Sequence, residues 1–114
     1  DLVRGTIMHN ATRSATGNGT ARQLGAVSAS QRLFAALHVI ATTGSPTLDV
    51  IVESDAADDF SGSETTRITY AQATAAGAEW ATPVAGAITD DWFRSGYTIG
   101  GTGTITFVVF IGIL

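Results

Sequence analysis

The sequence has no cysteine and no lysine, only two prolines and two histidines, and little charge of either sign. Without cysteine there is no disulfide framework, no thiol nucleophile and no cysteine-type zinc site. Without lysine, the six basic residues are all arginine: Arg4, Arg13, Arg22, Arg32, Arg67 and Arg94. They are scattered, and the net charge is −4. Nucleic-acid binding needs a clustered basic face, which this pattern does not provide. No stretch is long enough to span a membrane as a helix. The longest apolar run, Ile105 to Leu114, has ten residues and is interrupted by Thr106 and Gly112, whereas a spanning helix needs about twenty. No secretory leader is visible, and the first residue is Asp1 rather than methionine, as expected of a processed chain or of a domain cut from a longer one.

Charged residues make up 14% of the chain against 45% hydrophobic, well below the ~25% charged of an average soluble domain. A surface this poor in charge points to burial against further copies or a partner, although threonine and serine can also solvate a sheet. At 114 residues the chain reads as one domain, 1–114, able to bury a core without staples. Residues 1–19, rich in turn formers from Asn10 onward, read as an extended arm or loop.

The apolar pattern is that of strands. In Thr47–Glu53, Leu48, Val50 and Val52 alternate with Asp49 and Glu53, as in a half-buried antiparallel strand. In Arg32–Thr42, Leu33, Ala35, Leu37, Val39 and Ala41 share one face and Phe34, Ala36, His38 and Ile40 the other. Gly44-Ser45-Pro46 between these segments predicts a hairpin. Ile68 and Tyr70 face the core in the next strand. Phe93, Tyr97 and Ile99 share a face in the segment from Trp92, and Gly100-Gly101-Thr102-Gly103 predicts a second hairpin turn into Thr104–Leu114. The sum is about seven or eight short strands with turn signals every 8–12 residues: an all-β, antiparallel sandwich or jelly roll. Short helices at Ala29–Leu37 or Ala71–Ala78 are the alternative. In the last strand Ile105, Phe107, Val109, Ile111 and Ile113 form one face, while Val108, Phe110 and Leu114 make the other face apolar as well. A strand apolar on both sides predicts that its outer side is covered by a neighbouring subunit or domain.

Little else offers chemistry. The acidic run Asp55-Ala56-Ala57-Asp58-Asp59 lacks EF-hand spacing and reads as a solvated loop rather than a calcium site. His9 and His38 accompany no Gly-x-Ser-x-Gly elbow. The glycine-rich segments lack the lysine of a phosphate loop. Asn10-Ala11-Thr12 and Asn18-Gly19-Thr20 match the glycosylation sequon, a pattern common by chance. Trp80 and Trp92 read as core or interface anchors, with a carbohydrate- or cell-surface-binding module built on them and the Asp55–Asp59 loop as the alternative. No enzymatic activity, cofactor or metal is expected.

Several segments carry a resemblance. Thr16-Gly17-Asn18-Gly19-Thr20-Ala21, Ala36-Leu37-His38-Val39, Ser45-Pro46-Thr47-Leu48-Asp49-Val50, Val52-Glu53-Ser54-Asp55, Arg67-Ile68-Thr69-Tyr70, Trp92-Phe93-Arg94 and Tyr97-Thr98-Ile99-Gly100-Gly101 resemble structural β-modules of tailed-bacteriophage virions. In that group such modules are accessory domains of major tail proteins or decoration proteins on a capsid or tail. A full tail-tube protein would carry a further barrel, for which 114 residues leave no room. The resemblance implies location in the virion, and partners that are copies of the chain itself and other virion proteins, with a host-surface glycan as a further partner. It implies neither nucleic acid nor membrane. The assembly residues expected on this reading are Trp92, Arg94, Val108, Phe110 and Leu114.

Overall fold

A computed structural model describes residues 2–114. Its strands are β1 (Arg4–Arg13), β2 (Gly17–Asn18), β3 (Arg22–Gln23), β4 (Arg32–Asp55), β5 (Thr65–Thr69), β6 (Gly77–Trp80), β7 (Val84–Ala85) and β8 (Trp92–Ile113). The described residues contain no helix. The alanine-rich segments around Ala35 and Ala73 are extended because both faces of the first are needed in a sheet, and Ala73 bridges Leu48.

The backbone of the molecule is one long antiparallel ladder between β4 and β8, running from Leu33 opposite Ile113 to Asp55 opposite Trp92. This ladder folds over on itself. Tyr97 and Phe107 are ten residues apart on β8, and their rings meet edge-on at 5.3 Å. A straight strand would hold them about 33 Å apart. The fold lies at Thr43–Pro46 opposite Gly101–Thr104, where Gly44, Gly101 and Gly103 have φ of 72°, 70° and 103°. Side chains are excluded there by sterics as well as by dihedral: a Cβ on Gly101 or Gly103 would run into the carbonyls of Ser45 or Thr43. The outer edge of the fold is tied by Thr43 and Thr104, whose hydroxyls hydrogen-bond at 2.6 Å.

Folding the ladder produces a sandwich, each layer four strands wide. In the first layer the halves Arg32–Thr42 and Ile105–Ile113 lie at the centre, β1 pairs with β8, and β6 and β7 pair with β4. In the second, the halves Leu48–Asp55 and Trp92–Ile99 are central, β2 and β3 pair with β8, and β5 pairs with β4. The chain crosses between layers at β1–β2, β3–β4, β5–β6 and β7–β8, and at the corners within β4 and β8. The shortest dimension, 18 Å, is that of two layers packed about 10 Å apart.

The predicted all-β sandwich is therefore what forms, but neither predicted hairpin exists. Gly44-Ser45-Pro46 and Gly100–Gly103 do not turn a strand back beside itself. Each carries its strand around the corner while the strand keeps its bonds to the other one. A glycine-rich turn specifies that a chain bends; whether it bends within the sheet or out of it depends on where the backbone groups find partners. Likewise Arg4–Arg13, read as arm or loop, is a ten-residue strand, because β8 offers it a free edge.

The core lies between the layers. Leu33, Ala35, Leu37 and Val39 of the first layer pack with Leu48, Val50 and Val52 of the second, and Phe93 and Tyr97 with Ile105, Phe107, Val109, Ile111 and Ile113. The inward set on β4 switches from odd to even numbers because Ile40 is an extra residue: Val39 pairs with Phe107 and Ala41 with Thr106. Such a bulge shifts the period-two pattern by one.

Candidate functional site

The two outer faces of the sandwich differ. On the second layer, the outward row is polar and covered. Arg94 stands opposite Glu53 on the ladder, and its Nε donates to Glu53 Oε1 at 2.6 Å. Phe60 lies against the guanidinium at 4.4 Å. The segment Ala56–Glu64 thus folds across this face, anchored by Phe60, which is buried despite a left-handed φ of 46°. Asp55 Oδ1 closes the segment by accepting from Ala56 N at 2.6 Å and Ser63 Oγ at 2.9 Å. At the end of the core beside it, Ser54 Oγ donates to Asp90 Oδ2 at 2.8 Å and accepts from Arg67 Nε at 2.9 Å. Glu53, expected to point into solvent, is instead buried because the acidic loop lies over it.

On the first layer, the outward face is apolar over most of its centre and lies open to solvent. One register line crosses all four strands: Ile7 on β1 opposite Phe110 on β8, Phe110 opposite Ala36 on β4, and Ala36 opposite Trp80 on β6. Phe34 contacts both Trp80, at a centroid distance of 5.5 Å, and Phe110, at 6.2 Å. Phe110 lies low on the sheet because Gly5 across the ladder leaves room for its ring. Trp80 is 71% exposed, with Ile7, Ile40, Leu2 and Val3 about half exposed. A soluble sandwich ordinarily turns polar side chains outward on such a face. Here Trp80, Ile7 and Ile40 are exposed and Phe34, Ala36, Val108 and Phe110 only half-buried, which leaves a contiguous apolar surface in contact with solvent.

The five residues expected to serve assembly separate accordingly. Val108 and Phe110 lie on the bare face. Leu114 sits at its end, its backbone paired with Arg32. Trp92 and Arg94 belong to the outer face of the other layer, opposite Asp55 and Glu53, and Arg94 is already engaged by Glu53 and Phe60. The face also contains Phe34, Ile7, Ile40 and Trp80. Alternation along Arg32–Thr42 signals Phe34, since both faces of that strand are apolar. Ile7 and Trp80 join only through pairing of strands distant in sequence.

Other chemistry is sparse. Among the described residues no three metal-ligating side chains converge. His9 is buried, stacked on Phe107 at 4.1 Å and tilted against Tyr97 at 4.9 Å. Burial, with Arg13 nearby, holds its pKa below the ordinary histidine value. Its Nε2 has no hydrogen-bond partner, nor does the nearby Ser95 hydroxyl, so the arrangement is not that of a nucleophile and its base. Tyr70, buried beside Glu79, has its pKa raised, mainly by burial. Trp80 and Trp92, which a sugar site would need together, lie on outer faces of opposite layers.

The class defined by these features is an antiparallel β-sandwich with one armoured and one bare apolar face. No protein-family model matches the chain, and no curated protein does. Among solved structures it is similar to the PBSX exported protein XepA, with a TM-score of 0.62, 18% identity and 96% of this chain covered. It is also similar to a structure of infectious bursal disease virus, Gx strain, with a TM-score of 0.59, 12% identity and 96% coverage. The chain spans 36% and 31% of those two proteins. At these identities the likeness is one of fold.

Proposed function

We propose that the chain is a non-enzymatic structural module of a virus particle, packed as repeated copies on the exterior of a phage capsid or tail. The observation that carries this reading is the open apolar face of the first layer, whose contact with water costs free energy that a covering partner would recover. The fold likeness supports it, since one neighbour is a structure of a virus and the other an exported protein of PBSX. The resemblance of the strand and turn segments to tailed-phage modules points the same way. The mechanism is surface complementarity: many modest contacts repeated over a symmetric lattice. Its partners are copies of itself and a capsid or tail-tube protein, and its location is the virion, assembled in the host cytoplasm.

The test is direct. An antibody raised against the purified chain should label phage particles from the same source in electron micrographs, at regular positions on head or tail. Particles that carry no copy of the chain would remove the reading. Within the particle, Phe110→Asp should abolish incorporation; a mutant incorporated as well as the wild type would show that the bare face is not the contact.

A further inference from the structure

We propose that the occupant of the bare face is the same face of a second copy, the two related by a two-fold axis running along the strands. This deepens the assembly reading above and rests on it only for the context in which the pair would act. Three observations select a second copy.

The first is the sequence of sizes along the central register line: Ile7, Phe110, Ala36, Trp80. A two-fold axis parallel to the strands, passing between Phe110 and Ala36, reverses this order in the partner. Phe110 then stands over the partner's Ala36, and Ile7 over the partner's Trp80. The next line repeats the logic, since Phe34 pairs with Gly112 on the ladder and would stand over the partner's Gly112, beside Leu2. Large residues meet small ones, which is how facing sheets interdigitate. A two-fold axis at right angles to the strands would instead set Trp80 against Trp80 and leave Ala36 facing Ala36.

The second is area. Four strands at about 4.8 Å spacing and nine residues at about 3.3 Å rise give a face of roughly 19 by 30 Å. Two such faces bury on the order of 1,200 Å², the lower end of specific interfaces. The third is charge. Among the described residues, His38 at the middle and Arg32 at one end are the titratable residues of this face, and both are exposed. Arg32 lies at the rim, so the axis brings the two arginines to one end where solvent screens them, and the apolar centre of the face meets its own copy at little electrostatic cost.

Sedimentation velocity over a range from about 1 to 300 μM, combined with Trp80 fluorescence, tests this. The wild type should shift from monomer to dimer with concentration, and the indole emission should move to shorter wavelength as it does. Trp80→Arg and Ile40→Arg alter exposed side chains and should each give a monomer at every concentration, with unchanged circular dichroism and a cooperative melt. Oligomerisation should also resist salt. A wild type that stays monomeric at 300 μM overturns the pairing, as does a dimer that persists in both variants. A monomer that nevertheless labels phage particles would show that a different virion protein covers the face. A dimer absent from particles would retain the pairing and remove the virion reading.

Discussion

The imidazole of His9 lies nearly flat on the ring of Phe107, with centroids 4.1 Å apart and planes 16° from parallel. Phe107 belongs to the first layer and Tyr97, beside both rings at 4.9 Å from the imidazole and 5.3 Å from Phe107, to the second. His9 therefore fills the seam where the ladder's two halves close. Arg13 spans the same seam by donating to the Tyr97 hydroxyl at 3.1 Å.

A charge on that imidazole would be buried and stacked on a hydrocarbon ring, so the folded protein binds the His9 proton more weakly than the unfolded chain does. The sign follows from linkage: where the unfolded state binds more protons, stability rises with pH. The stability due to neutral His9 is present in full above the unfolded pKa of about 6.5 and is lost as pH falls below it toward the lower folded value. Urea midpoints at pH 7.5 and 5.5 should show this loss. His9→Phe should flatten the slope. An unchanged slope in His9→Phe would rule out His9 as the titrating group.

The corner of the ladder depends on glycine. Gly103 has a φ of 103° and no room for a Cβ against Thr43, so Gly103→Ala should destabilise the protein by about 1–3 kcal/mol. Gly77 on β6 has open space and no positive φ, so Gly77→Ala should change stability by less than about 0.5 kcal/mol. Equilibrium denaturation of the two variants checks the contrast.

The Glu53–Arg94 pair is largely covered, with side-chain exposures of 8% and 20%. Removing one partner leaves the other charge under Phe60 and uncompensated. Glu53→Gln should therefore cost about 1–3 kcal/mol, discounted from a fully buried pair because Arg94 keeps some contact with water. The double variant Glu53→Gln/Arg94→Met should recover part of that loss. A double mutant as unstable as the sum of its singles would show that the two side chains act independently.

Phe107 and Phe110 are three residues apart and should respond oppositely. Phe107 is fully buried between the layers, and Phe107→Ala should lose about 3–5 kcal/mol. Phe110→Ser, on the outer face, should lose less in the isolated chain and show its effect mainly in assembly. Thermal melts alongside sedimentation of both variants separate the two roles.

Much of this was legible in the chain before folding. The alternation Leu48–Val50–Val52 and Ile105–Phe107–Val109–Ile111–Ile113 identifies strands and their inner faces, since a side chain's face follows from its parity along the strand. Val108 and Phe110 on the other side announced an apolar outer face. The glycines marked the places where the chain changes direction. Composition alone removed thiol and lysine chemistry.

What local sequence could not determine is which backbone groups pair. Gly44 and Gly101–Gly103 look like hairpin turns because a residue that permits positive φ serves an in-sheet turn and a fold between layers equally well. Only the ladder of β4 with β8, joining residues up to 80 apart in sequence at Leu33 and Ile113, selects the second. Ile7, Phe110, Ala36 and Trp80 likewise become one surface only through pairing in the folded sheet, because hydrogen bonds between distant strands, not neighbours in the chain, set them side by side. The sequence by itself determined the inner faces of β4 and β8, because side-chain parity follows from the alternation. It determined neither the strand Arg4–Arg13 nor the burial of Glu53, which depend on pairing and packing between distant segments. The tertiary structure decided which outer face is armoured by the Phe60 loop and which is left bare.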